Sequence, residues 1–294
     1  MNPSRTRSAA LVAVLTALAT AACADSLDLD GPHDALTADI GATVRDEVEA
    51  AVGALTVATL LAPIGTTQAA GEAAFLMVTC VTPSSNADAD GDGVPDDAIY
   101  LFTAPPCRYT GWRGGTLDIV GQLRLQDPTP SSAGFGYEAT ITDLRSRFSS
   151  ADNKVMYDVT RNGTRTLSGS TAGLLLTAEL QVKRTFAGHP DAAIDKEWAV
   201  NYTPAAPLQI NGTLPTGSLD IAGTVDWLRG DEHFALVLTT PTPLHYNGDC
   251  TDTVQRIDGG ELHAAGTFDD IEGSVRLRWS ECGREPSFSF EAAE

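Results

Sequence analysis

The sequence predicts a mainly β protein, in which one N-terminal helix precedes a curved antiparallel β-meander that forms a barrel or a sandwich. Apolar and polar residues alternate in many short runs after residue 71. In Ser274–Trp279, Val, Leu and Trp occupy one face, and Ser and two Arg residues occupy the other. Such alternation is typical of half-buried antiparallel strands. Turn dipeptides such as Asn247-Gly248 separate the runs, and a glycine-bounded segment recurs along the chain.

Residues 1–22 have the composition of an export signal rather than of folded structure. Arg5 and Arg7 form a positive start, and Leu11–Leu18 is an apolar run too short to span a bilayer as a mature helix. We therefore expect these residues to be removed and exclude them from the fold.

The residues around Cys23 indicate how the mature chain is anchored. Thr20-Ala21-Ala22 directly before Cys23 resemble a bacterial lipobox. This resemblance implies that Cys23 is lipidated and becomes the new N-terminus, which would hold the protein on a membrane. An ordinary signal peptide cleaved nearby is the alternative. Because Ala24 rather than Asp follows Cys23, the lipoprotein sorting rule implies the outer membrane.

Two segments are expected between the anchor and the β domain, a tether over residues 23–34 and a helical segment over residues 35–70. The tether is polar and acidic. Apolar residues in the second segment recur at three- and four-residue steps, and Pro63 is expected to end the helix. These apolar residues are Ile40, Val44, Val48, Ala51, Val52 and Leu55. We expect this helix to pack on the sheet, with partner binding as the alternative.

Residues 71–294 are predicted to form one antiparallel β domain. The strands are predicted at Ala73–Cys80, Ala98–Ala104, Leu117–Leu125, Tyr137–Arg147, Lys154–Thr160, Leu174–Phe186, Glu197–Thr203, Leu219–Leu228, Phe234–Thr240, Leu262–Phe268 and Ser274–Ser280. Turns are predicted between them, including at Asn162-Gly163 and Asp258-Gly259-Gly260.

A weak internal repeat predicts that this sheet bends. Gly115–Gly121, Gly217–Gly223 and Gly260–Gly266 share one pattern, and Gly163–Gly169 fits it loosely. Glycine within a strand permits a kink or the close approach of another chain segment. Repeated kinks curve a sheet into a barrel or a strongly curved sandwich.

The stretch between Cys80 and Cys107 contains the most specific chemical pattern in the chain. Its aspartates are spaced as a calcium loop requires, because calcium takes six to eight oxygen ligands and alternate residues can supply them. Counted from Asp88 as position 1, the expected ligands are Asp88, Asp90 and Asp92, the carbonyl of Val94, and Asp96. Gly93 at position 6 allows the sharp turn.

This loop resembles thrombospondin type 3 repeats and related EF-hand-like bacterial loops over about a dozen residues. It departs at position 12, where Ile99 replaces the usual acidic ligand. A second register starting at Asn86 places Asp97 at position 12, and Asp97 is also a substitute ligand in the first register. The predicted cofactor is structural calcium, because strands rather than helices flank the loop. A solvated acidic loop is the alternative.

Four cysteines besides Cys23 predict two disulfides in an exported chain. In a meander, Cys250 and Cys282 lie at the same end of the sheet, so this pair is geometrically easy. Cys80–Cys107 is then the remaining pair by elimination. A simple hairpin would leave these two residues beyond disulfide reach, so the pair requires the chain to fold back at Pro105-Pro106 or the two runs not to pair.

The charge balance restricts the classes of partner. Loss of Arg5 and Arg7 leaves 17 basic and 39 acidic residues, so the mature net charge is 17 − 39 = −22. Such acidity argues against nucleic acid as a binding partner and against electrostatic docking of the protein on anionic lipid. No nucleophile, zinc-protease or nucleotide motif is present. Asp118 and Asp220 are a weak candidate pair for glycoside hydrolysis.

These observations predict a non-enzymatic envelope protein, lipid-anchored, with a structural or binding role and a calcium-stabilised loop. Its composition resembles that of uncharacterised bacterial lipoproteins. Two alternatives stay open. One is a periplasmic carrier whose curved sheet encloses a hydrophobic ligand. The other is a glycan-acting hydrolase.

Overall fold

A computed structural model describes residues 32–55, 81–110, 114–188, 191–210, 212–250, 256–268 and 271–293. These residues form one helix and eleven strands. The helix is α1 (Pro32–Gly53). The strands are β1 (Asp97–Thr110), β2 (Thr116–Gln126), β3 (Tyr137–Ser149), β4 (Val155–Ser170), β5 (Gly173–Phe186), β6 (Ala192–Pro204), β7 (Gly217–Arg229), β8 (Glu232–Tyr246), β9 (Ile257–Phe268), β10 (Ile271–Trp279) and β11 (Ser287–Ala292).

The strands form one antiparallel sheet in which spatial order follows chain order from β1 to β11. Each strand pairs with the strand that follows it, which confirms the predicted antiparallel meander. Within the described ranges β1 and β11 are the two edges and do not pair with each other. The sheet is therefore curved but open, and it does not close into a barrel.

Strict alternation gives the sheet one buried face. In β5, Leu174, Leu176, Ala178, Leu180 and Val182 are buried, and the residues between them are exposed. Successive side chains of a strand point to opposite faces, so this pattern places one row in the core and the other in solvent.

Glycines bend the strands, as the repeat predicted. Gly121, Gly163 and Gly260 have φ values of 125°, 128° and 100°. A Cβ at each would lie within 2.4 Å of a carbonyl oxygen of the neighbouring strand. Two predicted turns are wrong. Asn162-Gly163 lies within β4, and Asp258-Gly259-Gly260 lies within β9. Glycine serves there as a bend inside a long strand.

Helix α1 lies against the inner face of the curved sheet. Ile40, Val44 and Val48 are at most 2% exposed and belong to the same apolar cluster as the buried strand residues. At the helix C-terminus, the Tyr137 hydroxyl on β3 donates to the Ala54 carbonyl. Gly41 packs against Phe288 on β11. A single helix can contact both β3 and β11 only because the sheet curls around it.

The helix begins at Pro32, three residues before the predicted segment, because proline suits the first helical position. Its observed end is Gly53. Residues 56–70 of the predicted helical segment lie outside the described residues, as do the predicted strand Ala73–Cys80, the signal peptide, Cys23 and most of the tether. None of the described helices combines the length and apolarity that crossing a membrane requires.

The last strand, β11, is absent from the predicted set. Phe288 and Phe290 alternate with serine and are partly buried on the core. This two-residue period was the available signal, but six residues at the chain end form a short and weak pattern.

Candidate metal centre

The aspartate loop, residues 86–96, folds back on itself through two glycines. Gly91 and Gly93 have φ values of 75° and 89°, a region that glycine enters without steric penalty. The Asp88 carboxylate accepts hydrogen bonds from both of their amides, at 2.8 and 3.0 Å. The predicted sharp turn at Gly93 is therefore present.

This turn brings together Asp88 and Asp90, which both sequence registers use as carboxylate ligands, and Asp92, the position-5 ligand of the first register. One carboxylate oxygen from each of Asp88, Asp90 and Asp92 lies within 4.8 Å of the other two. Desolvation and the charges of Asp92, Asp127 and Asp88 raise the pKa of Asp90. Close carboxylates repel one another, so a divalent cation among them would relieve an unfavourable arrangement.

The hydrogen bonds of the cluster leave one oxygen in need of a partner. Asp92 is buried, and its two oxygens accept from the amides of Val94 at 2.8 Å and Gly134 at 3.0 Å. Asp90 Oδ2 is also shielded from water, but it has no hydrogen-bond partner among the described residues. A buried acceptor without a partner is unfavourable, and a bound cation would satisfy it.

Asp127, which no local spacing singled out, lies next to this loop. It directly follows β2, whose last residue, Gln126, pairs with Asp97 at the start of β1. Its amide donates to the carbonyls of Pro95 at 3.2 Å and Asp96 at 3.3 Å. Only the β1–β2 register brings Asp127 here, and a sequence pattern read along one loop does not contain that information.

The other predicted ligands occupy different positions. Asp96 stays in the loop, where its Oδ1 accepts from the Ala89 amide at 3.0 Å, but it is not part of the three-carboxylate cluster. The Val94 side chain is buried in the core, which leaves its backbone carbonyl as the group relevant to a metal.

Asp97 is separated from the cluster. It forms a two-point ion pair with Arg124 on β2, at 2.9 and 2.6 Å. β1 begins at Asp97, and since Ala98 points into the core, the Asp97 side chain projects to the solvent face. This geometry does not favour the register in which Asp97 occupies position 12.

One predicted disulfide is present among the described residues. Cys250 and Cys282 are bonded, with their Cα atoms 6.1 Å apart. Cys107 is also disulfide-bonded. Its expected partner, Cys80, lies outside the described residues, as does the predicted lipidation site Cys23.

A second polar region lies beneath α1. Lys196 forms a buried ion pair with Glu47, and its Nζ lies 4.3 Å from the centre of the Trp198 ring. A cavity of about 200 Å³ lies between the helix and the ends of β5, β6 and β7. Its lining includes Asp39, Asp46, Arg184, Phe186, Trp227 and Arg229.

The candidate hydrolase carboxylates do not converge. Asp118 lies on β2 and Asp220 on β7, with four strands between them in the sheet order. Asp118 is paired with Arg108 at 2.6 and 2.8 Å. Asp220 is exposed on the outer face of β7.

Compared with known proteins, the chain matches no family model, no curated protein and no solved structure. Its function must therefore be inferred from its own residues.

Proposed function

We propose that the chain is a lipid-anchored envelope protein with a structural or binding role, in which calcium stabilises the aspartate loop. The single observation that supports this proposal most is the convergence of Asp88, Asp90 and Asp92 within 4.8 Å. Oxygen ligands on a short loop suit calcium, a hard cation. The lipobox-like residues before Cys23 support attachment to the envelope, with the outer membrane as the proposed location.

Calcium's role here is structural rather than catalytic. The cluster contains carboxylates without histidine or cysteine. The loop leads directly into β1, and its Asp92 is tied to the β2–β3 connection through Gly134. An ion at this position fixes a loop whose hydrogen bonds run mainly from backbone amides to aspartate carboxylates rather than along a helix or strand.

Thermal melting of the full-length protein with calcium and with chelator tests the metal. At a calcium concentration 100 times the dissociation constant, binding stabilises the folded state by about 2.7 kcal/mol. This corresponds to a rise in melting temperature of roughly 5–10 °C for a domain of this size. Asp90→Asn should reduce the rise, whereas the exposed control Asp231→Asn should not. A melting temperature that chelation does not change would contradict the calcium site.

Membrane fractionation tests the anchor independently. Cys23→Ser removes the thiol that would carry the acyl chains, so the variant should leave the membrane fraction. Retention of the variant on membranes would count against lipidation and leave the calcium proposal unaffected.

The carrier alternative has one observation in its favour, the cavity beside α1, which Phe186 and Trp227 help to line. Its volume of about 200 Å³ is below the roughly 300–1,000 Å³ typical of ligand pockets. Elsewhere on the inner face, inward-facing side chains of the described strands, such as those of β5, are buried in the apolar core. A structural or binding role is therefore proposed ahead of transport.

A further inference from the structure

The β2–β3 connection, residues 127–136, contributes a buried carboxylate that the protein alone does not satisfy. Asp127 is 6% exposed. Its Oδ1 accepts from the Thr129 amide at 2.7 Å. Its Oδ2 is shielded from water and has no hydrogen-bond partner among the described residues. The turn formed with Thr129 accounts for one oxygen of this side chain and leaves the other unexplained.

The position of Asp127 relates this oxygen to the acidic cluster. The amide of Asp127 is held by the carbonyls of Pro95 and Asp96, at the end of the aspartate loop. Its charge also acts directly on Asp90. Asp90 Oδ2 is likewise shielded and without a partner within the described residues. Two unpaired carboxylate oxygens thus occur on neighbouring segments that contact each other. Asp127 lies outside the group of three carboxylates whose oxygens are all within 4.8 Å of one another. Ligands on opposite sides of a calcium ion can be farther apart than this, because each calcium–oxygen distance is about 2.3–2.6 Å.

In the described part of the chain, Asp90 and Asp127 accept hydrogen bonds only from backbone amides, and neither forms an ion pair with a basic side chain. The aspartates interacting with Asp90 are Asp88, Asp92 and Asp127, and all of them carry the same sign. A buried carboxylate with one open oxygen is costly unless it is paired or coordinates a metal. Asp97, in contrast, is satisfied by Arg124 and exposed to water.

We propose that Asp127 is a fourth carboxylate ligand of the calcium ion and that the ion joins the aspartate loop to the β2–β3 connection. The inference rests on the proposed calcium site but adds a ligand that the loop pattern does not contain. Asp127 compensates for Ile99, which occupies the position where such loops usually supply their last acidic ligand. The Asp92–Gly134 hydrogen bond already links the same two segments, so the ion reinforces an existing contact.

Calcium titration calorimetry on the full-length protein and on Asp127→Asn tests this assignment. Asparagine keeps the acceptor for the Thr129 amide but removes the charge. We expect one ion per chain in the wild type and a loss of affinity of about tenfold or more in the variant. Asp231→Asn, an exposed carboxylate on the β7–β8 turn, should bind as the wild type does. Magnesium should bind more weakly than calcium, because it demands a more rigid octahedral geometry.

Melting temperatures give a second readout that separates a ligand from a structural residue. In chelator, Asp127→Asn should melt at the same temperature as the wild type or higher, because an unpaired buried charge has been removed. In calcium, the order should reverse. A residue important only for the turn would lower the melting temperature in both conditions, and that result would overturn the assignment.

Hydrogen exchange on the wild type needs no variant. Added calcium should slow exchange in residues 86–96 and in residues 127–136 together. Protection of the aspartate loop alone, or unchanged calcium affinity in Asp127→Asn, would refute the role of Asp127 and leave the loop site standing. Absence of calcium binding to the wild type would refute both.

Discussion

Gly163 illustrates how one residue shapes this sheet. It lies in the middle of β4 with φ 128°, and a Cβ there would lie 2.1 Å from the Glu179 carbonyl oxygen on β5. Glycine therefore lets β4 bend while it stays paired with β5. Gly121 has the same role in β2, where the register with β3 shifts.

Gly163→Ala should destabilise the fold by at least about 2 kcal/mol, because the new methyl group meets backbone and the required φ is strained for alanine. Urea denaturation measures this change. Gly53→Ala is the matched control, since nothing lies within 4 Å of its Cβ position and its φ is not positive. Equal stability of the two variants would show that the bend does not depend on glycine.

The part of the site set by local spacing was predictable at this scale. Asp88, Asp90 and Asp92 converge because a glycine turn a few residues long determines their positions. Asp127 was not predictable, since the pairing of β1 with β2 brings it into place from 31 residues beyond Asp96. The glycine repeat included Gly163, but Asn162-Gly163 is equally typical of a hairpin turn. The sequence alone therefore did not distinguish a bend within a strand from a turn between strands.

Helix α1 uses one row of polar residues, at four-residue spacing, to hold the sheet. Asp39 pairs with Arg229 on β7, Thr43 accepts from Arg184 on β5, and Glu47 pairs with Lys196 on β6. These contacts involve three different strands. The apolar residues beside this row were the recognisable signal for the helix. The polar row was not recognisable, because its partners lie 141–190 residues later in the chain.

Around Glu47, basic side chains outnumber acidic ones. Burial raises the pKa of Glu47, but Lys196 and Arg161 outweigh burial and lower it to about 2. Arg165 and Arg184 also interact with Glu47. Glu47 therefore faces several cations that lose favourable hydration on burial, although Asp46 also interacts with Arg161 and Arg184.

Removal of the carboxylate should accordingly cost much more than removal of one cation. We expect Glu47→Gln to destabilise the protein by about 3–5 kcal/mol, since buried Lys196 loses its carboxylate partner and Arg161 loses part of its counter-charge. Lys196→Met should cost about 1 kcal/mol or less, because Arg161 still faces Glu47 and methionine fills the space against Trp198. Urea denaturation of both variants provides the comparison, and equal losses would show that Glu47 serves Lys196 alone.

The molecule as a whole combines a strongly acidic composition with cations in its interior. Its formal net charge is −20, yet Lys196, Arg161 and Arg165 are each at most 9% exposed. Acidic composition was visible in the sequence, as was the meander, because alternation and turn residues are local. The burial of these cations was not predictable from the sequence, since it depends on the packing of α1 against the curved sheet.

Acid should weaken the fold through Glu47. Its folded-state pKa of about 2 lies below the usual value of 4.5, so its stabilisation is present above pH 4.5 and is lost as the pH falls towards 2. Between pH 6 and pH 3 the loss attributable to Glu47 is about 2 kcal/mol. Urea denaturation in chelator, which removes any contribution from calcium release, should show this extra loss in the wild type relative to Glu47→Gln. Parallel pH dependence in the two proteins would contradict the role of Glu47.

The contacts of α1 also constrain the order in which the chain reaches its native state. Each strand pairs with its immediate neighbour, so hairpins can be added one after another with short loop closures. The helix is different, because Asp39 needs Arg229, 190 residues downstream, and Gly41 packs on Phe288 of the final strand. Helix α1 therefore completes its packing only after the last strand is in place. Docking of α1 then marks the point at which the whole sheet has assembled.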